Sequence, residues 1–243
     1  MGVDLVIIGN HSIPFKNKGL EDKSKLADLL NSLKLEESEF IREMGERWNS
    51  PNEYHREIMS KNSYEKYEIE ANQRLEQVFN IHSWKIIDYD DEYSDEDRHT
   101  DSKEYELEGP FGLELYINKY FFEFSIWGYR WSSWFMGNDV IRRDEWRQII
   151  SEISTILGGN YVMYFPDSLL DFADYAPRNY YFPKEMEEHF QTEIKDLDQA
   201  IEVISQKWSK PMTLAEGDKE YQEGDKTPFI IDKFEDLNKT LTI

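Results

Sequence analysis

The chain has 243 residues, and its 50 Asp and Glu against 28 Lys and Arg give a formal charge of −22. Cysteine is absent, which excludes disulfides, a thiol nucleophile and thiolate-held metals. Nucleic acid and anionic membrane surfaces are excluded as main ligands, because both need clustered basic residues. Aromatic residues make up 15% of the chain. Acidic disordered chains lack such residues, so this composition predicts a folded core beneath an acidic surface.

The opening MGVDLVIIGN carries one short apolar run, Leu5 to Ile8, ended by Gly9 and Asn10. It predicts a buried strand. The run is too short for a secretory h-region, and no basic residue precedes it, so a cytoplasmic location is expected. No stretch approaches 18 uncharged apolar residues, so no membrane span is expected. Leu26, Leu29, Leu30 and Leu33, then Phe40, Ile41, Met44 and Trp48, recur at helical spacing. Tyr64, Tyr67, Ala71, Leu75, Val78 and Phe79 mark a further helix. The N-terminal third is therefore helix-rich after one strand.

The period then changes. Trp84 to Tyr89 and Tyr105 to Glu108 predict strands. Phe111, Leu113, Leu115 and Ile117 alternate with other residues at period 2, and Tyr120 to Trp127 suits a paired strand after a tight turn. Trp146, Ile149, Ile150, Ile153, Ile156 and Leu157 form one helical face that Gly158-Gly159 terminates. Tyr161 to Phe165 is a strand. From Met186 to Trp208 an apolar stripe predicts a long amphipathic helix after Pro183. The expected fold is α+β, a mostly antiparallel sheet with packed helices. A single domain over 1–243 is expected: a mostly helical part at 1–80, a sheet-rich part at 81–165, the long helix at 183–209 and a peripheral tail at 212–243.

Two segments stand out chemically. From Asp90 to Glu108 ten carboxylates face two bases, a local charge of −8. Asp90, Asp91, Glu92, Asp95, Glu96 and Asp97 form its densest part. A solvated loop accounts for such a run. The functional reading is docking of a basic protein, whose approach complementary fields steer. A Ca²⁺ loop fits poorly, since the central glycine and spaced Glu of an EF-hand are missing. The second segment is the aromatic run containing Tyr129, Arg130, Trp131 and Trp134. From Trp127 to Arg147 four Arg outnumber three acids, a reversal of the chain's bias. Trp, Tyr and Arg are the residue types that dominate binding hot spots, although core filling explains such a run equally.

Other candidates are weaker. Asp167 suits a helix cap better than a catalytic carboxylate. Glu185, His189 and Glu193 share a helix face but fit a solvated face better than a metal site. No Walker loop, GxGxxG, GxSxG or HExxH is present. No cofactor, metal or catalytic residue is therefore expected. The role that fits is a non-catalytic protein-binding protein, in its sharpest form an immunity-type inhibitor of a basic partner. The alternatives are a carboxylate-based hydrolase or glycan-processing enzyme, with Asp167, Asp171 and Asp174 as its carboxylates, and a carbohydrate-binding module using Trp131 and Trp134.

Overall fold

Strand residues send alternate side chains to opposite faces of a sheet, and here the two faces carry different chemistry. The computed structural model describes residues 5–13, 20–49, 53–87, 105–117, 121–126, 135, 140–166, 196–207, 210–223 and 229–237. Seven strands are described: β1 (Leu5–Asn10), β2 (Lys85–Ile86), β3 (Tyr105–Gly109), β4 (Leu113–Ile117), β5 (Phe121–Ile126), β6 (Val162–Pro166) and β7 (Ile230–Asp232). They form one sheet in the order β2-β3-β4-β5-β1-β6-β7, and every named pair is antiparallel. Seven helices accompany it among the described residues: α1 (Leu20–Asn31), α2 (Glu39–Asn49), α3 (Glu53–Ile58), α4 (Lys61–Phe79), α5 (Val140–Ile156), α6 (Leu197–Lys207) and α7 (Leu214–Glu223). The fold is α+β, as the period changes along the chain predict.

One face is apolar. Ile7, Leu107, Leu113, Leu115, Ile117, Phe122, Phe124, Val162, Tyr164 and Ile230 belong to the main core. Leu26 and Leu30 of α1, Ile41 and Met44 of α2, and Trp146, Ile150 and Ile153 of α5 close over them. Aromatic edges knit the layers. Phe124 lies 5.2 Å from Trp146, and Phe79 lies 5.0 Å from Phe111, centroid to centroid. Asn31, at the end of α1, accepts the Trp84 backbone N–H at 2.7 Å and so fixes α1 against the start of β2. Gly9 sits opposite Phe122, whose ring occupies the space a Cβ would need.

The sequence pattern locates the helix α5 correctly, including its stop. Gly158 has φ of 73°, a left-handed conformation that side chains resist, and its N–H bonds the Thr155 carbonyl. The stripe does not show what the neighbouring line of α5 does. Arg143, Arg147, Ile150 and Ser154 are also buried. Arg147 is only 2% exposed. Its Nε donates to Asp232 Oδ2 at 2.6 Å and its Nη2 to Asp232 Oδ1 at 3.0 Å, a two-pronged pair. Its remaining N–H groups reach Asp236 and Asp144. One turn earlier, Arg143 donates to both oxygens of Asp218 at 2.6 and 3.0 Å.

These pairs overturn one expectation. Residues 212–237 are not a peripheral tail. They hold α7 and β7, and Phe229, Ile230 and Phe234 are buried. The short apolar run is core: Ile230 pairs with Tyr164 of β6 and joins the main cluster, and Arg147 holds Asp232 beside it. Of the long helix expected over 183–209, Leu197–Lys207 is helical and Asp196 before it is a bend; 183–195 and 208–209 lie outside the described residues.

Asp232 is 4% exposed, so its loss strands a buried guanidinium. Breaking a buried pair from one side costs about 3–5 kcal/mol. Asp232→Ala should lower unfolding free energy by that amount in urea titration, whereas Asp144→Ala, on a carboxylate half exposed, should change it by under about 1 kcal/mol. Equal effects would refute the dominance of the Asp232 pair.

A carboxylate-lined sheet face as candidate site

The second face of the sheet is built by the residues between the apolar ones. On β3 these are Glu106 and Glu108, on β4 Glu114 and Tyr116, and on β5 Glu123. Register sets them in two rows. Glu106 opposes Tyr116, which opposes Glu123, which opposes Ile8 on β1. Glu108 opposes Glu114, which opposes Ser125, while Lys85 on β2 stands on the other side of Glu108. Neighbouring strands are about 4.8 Å apart and same-face residues about 6.7 Å apart along a strand. Four glutamates therefore occupy one small patch.

The patch is graded in depth. Glu106 is buried at 6% exposure, and Tyr116 at 9%. Glu108, Glu114 and Glu123 are partly exposed. Toward β1 and β6 the face becomes apolar, with Ile8, Phe121 and Met163 buried. There the Tyr161 hydroxyl donates to Asp198 of α6 at 2.7 Å. Burial, and then the Asp198 carboxylate, hold the Tyr161 phenol protonated well above the usual range.

Inside the patch, the Tyr116 hydroxyl donates to Glu114 Oε2 at 2.7 Å. Burial raises the Glu108 carboxyl above its ordinary value, and the Glu114 and Glu106 charges raise it further, against the opposing pull of Lys85. A carboxyl raised in this way is better placed to pass a proton to and from a bound group. The same set can accept guanidinium or ammonium donors, since ionised carboxylates are acceptors only. No group of three or more metal-ligating side chains with suitable geometry occurs among the described residues.

The residues singled out in the sequence divide sharply. Asp90, Asp91, Glu92, Asp95, Glu96 and Asp97 lie outside the described residues, as do Tyr129, Arg130, Trp131 and Trp134. So do Asp167, Asp171 and Asp174 and the Glu185, His189 and Glu193 trio. Of the ten carboxylates between 90 and 108, the described ones are Glu106 and Glu108, and both sit in β3 rather than in a loop. Three of the four arginines that reverse the charge bias are described, and each is paired within the chain. Arg142 binds Glu43 at 2.6 Å, and Arg143 and Arg147 hold the carboxylates given above. Glu114 and Glu123 were missed as site residues. The signal for them was the alternation itself, which marks every second residue of β4 and β5 as facing away from the core.

An open cleft of about 600 Å³ lies between the start of α2, α5 and the turn after β7, with Glu39, Phe40, Glu145 and Gln148 around Arg147. Its central guanidinium is committed to Asp232, Asp236 and Asp144, so the cleft offers no donor comparable to the acceptors of the sheet face.

Comparison with protein-family models, curated proteins and solved structures finds no match for this chain. Nor is any described helix long and apolar enough to cross a membrane.

The Glu108 carboxyl has its pKa raised on folding, so the unfolded chain gives up this proton at lower pH than the folded one. The contribution favours folding at acid pH and is lost as pH rises from the ordinary value of 4.5 through the folded value. Glu108→Gln should therefore stabilise the protein at pH 7 by a few tenths of a kcal/mol, about what opposed like charges on adjacent strands cost. The gain should vanish at pH 4 in parallel thermal melts. An equal effect at both pH values would mean that charge repulsion is not its source.

Proposed function

We propose that this chain is an acidic, cytoplasmic, non-catalytic binding protein whose partner is a basic protein. In its sharpest form it is an immunity-type inhibitor that covers the cationic active site of a toxin enzyme. The observation that carries the reading is the direct opposition of Glu108 and Glu114 on adjacent strands. Like charges opposed across a ladder destabilise a sheet. In a chain of −22 charge, with Glu106 and Glu123 on the same face, that cost is offset when a cationic surface settles on the patch. Stability given up at a surface is the trade-off that functional sites make. Carboxylates would steer the encounter and pair with Lys and Arg of the partner.

The test joins stability to capture. Purified protein is used to capture partners from its host's lysate at low salt, followed by a salt gradient. A single basic protein should be retained and released as salt rises. The Glu108→Gln/Glu114→Gln double variant should melt at a higher temperature yet retain that protein at least tenfold more weakly. Retention unchanged in a variant that is more stable would remove the sheet face from the binding surface.

One observation favours a second reading. Glu108, whose carboxyl burial raises above its ordinary value, stands directly opposite Glu114, whose Oε2 accepts the Tyr116 hydroxyl at 2.7 Å, a pairing of carboxyls that acid–base chemistry uses. A carboxylate-based hydrolase would use Glu108 as acid and Glu114 as base. Turnover of activated glycosides or esters by the wild type, lost in both Glu108→Gln and Glu114→Gln, is what that reading requires.

A further inference from the structure

Residues 210–223 and 229–237 are tied to one another by backbone hydrogen bonds. The Met212 N–H donates to the Phe229 carbonyl at 2.9 Å, and the Ile231 N–H donates to the Met212 carbonyl at 3.0 Å. Between them runs α7, started by a reciprocal cap in which Thr213 Oγ1 and Glu216 share a 2.8 Å bond. Glu216 Oε2 also accepts the Thr213 backbone N–H, and the Glu216 N–H reaches back to Thr213 Oγ1. Because the Ile231 N–H points outward to Met212, the neighbouring Ile230 and Asp232 turn theirs toward β6, opposite Tyr164 and Val162.

The attachment to the remainder of the chain is narrow. β7 has three residues, and they make three cross-strand pairs with β6. The other fastenings are the packing of Ile230, Phe234, Leu214 and Leu237 against the main core and ion pairs from one helix: Arg143 to Asp218 on α7, and Arg147 to Asp232 and Asp236. Asp232 does two things at once. Its Oδ1 accepts both from Arg147 Nη2 and from the Phe234 N–H at 2.8 Å. The second bond closes a turn in which Phe234 takes φ of 57°, left-handed backbone that a bulky side chain resists. That turn puts the Phe234 ring in the core at 8% exposure.

We infer that residues 210–223 and 229–237 act as a clasp, a single cooperative unit fastened by Arg143 and Arg147, whose release uncovers the edge of β6 without unfolding the rest of the sheet. Cooperativity follows from shared groups. When Arg147 lets go of Asp232, the ladder, the strained turn and the burial of Phe234 lose their support together, and a half-open clasp would leave a buried guanidinium unpaired. The other strands do not take part, because β1, β4 and β5 are each paired on both sides within the sheet. Release exposes the outward N–H and C=O groups of β6 between Val162 and Tyr164, an unpaired strand edge.

Native-state hydrogen exchange on the full chain, in increasing sub-denaturing urea, tests this. The amides of Met212, Ile230, Ile231, Asp232 and Phe234 should exchange through one shared opening, at least tenfold faster than those of Leu115 and Phe124. Asp218→Asn, which touches only the α7 end, should speed the whole set by about tenfold and leave Leu115 and Phe124 unchanged. If that variant does not fold, Asp236→Asn repeats the measurement on a carboxylate that is 67% exposed, with a few-fold acceleration of the same set expected. Exchange of the set at the rate of Leu115 and Phe124 would overturn the clasp. So would acceleration confined to α7 in Asp218→Asn, or to Asp232 and Phe234 in Asp236→Asn.

Discussion

A guanidinium cannot shed its charge, so burying one commits the surrounding structure to surrounding it with acceptors. Arg147 imposes that constraint here. Burial alone would lower its pKa, but the hydrogen bonds it donates to Asp232 and Asp236 outweigh this and push it up. The acceptors must come from somewhere, and they come from 85 and 89 residues further along the chain. The last described segment is therefore drawn back across the sheet to become its edge strand. The burial of Ile230 and Phe234, the left-handed turn at Phe234 and the placing of α7 beside α5 all follow from it.

The two sheet faces answer to different physics. On the helix-covered face, apolar packing surrounds the buried Arg147–Asp232 pair, and Phe122 fills the space that Gly9 leaves vacant. On the opposite face, from β3 to β5, three of the strands place carboxylates where a stable sheet would place neutral or alternating charges. Lys85 relieves Glu108 from one side only. The contrast lies within single strands, since Leu107 and Leu115 belong to the core while their neighbours Glu106, Glu108 and Glu114 do not. A fold that needed only solubility could carry these charges on α4, most of whose described side chains are exposed, at no cost to strand pairing.

Local periodicity explains what was legible from the chain. β4 alternates cleanly, α5 carries one apolar stripe with a glycine stop, and each was located within a few residues. Strand order was not legible. β1 pairs with β5 and β6, so the first strand sits between two strands that follow it by over a hundred residues, a placement no local pattern records. The same limit hid the site. Glu106 and Glu108 looked like the end of an acidic run because Tyr105 to Glu108 is short and half charged, and only pairing with β4 turns them onto a face beside Glu114. Asp218, Asp232 and Asp236 looked like solvated acids of a tail for the same reason. Their role depends on Arg143 and Arg147, whose positions beside an apolar stripe carry no mark of burial.

Ionic strength separates the two kinds of charge in this molecule. Salt screens exposed charges over about 10 Å at 0.1 M but reaches a buried pair poorly. Arg147 and Asp232 are both nearly inaccessible, so their attraction persists across conditions that silence Glu108, Glu114 and Glu123. The arginines of α5 do not moderate the surface field either, because Arg142, Arg143 and Arg147 each spend their charge on a carboxylate within the chain. The net excess of acid is thereby left to the outside. Among the described residues it lies partly on helix faces, where it costs little, and partly on one sheet face, where strand register sets Glu106, Glu108, Glu114 and Glu123 together.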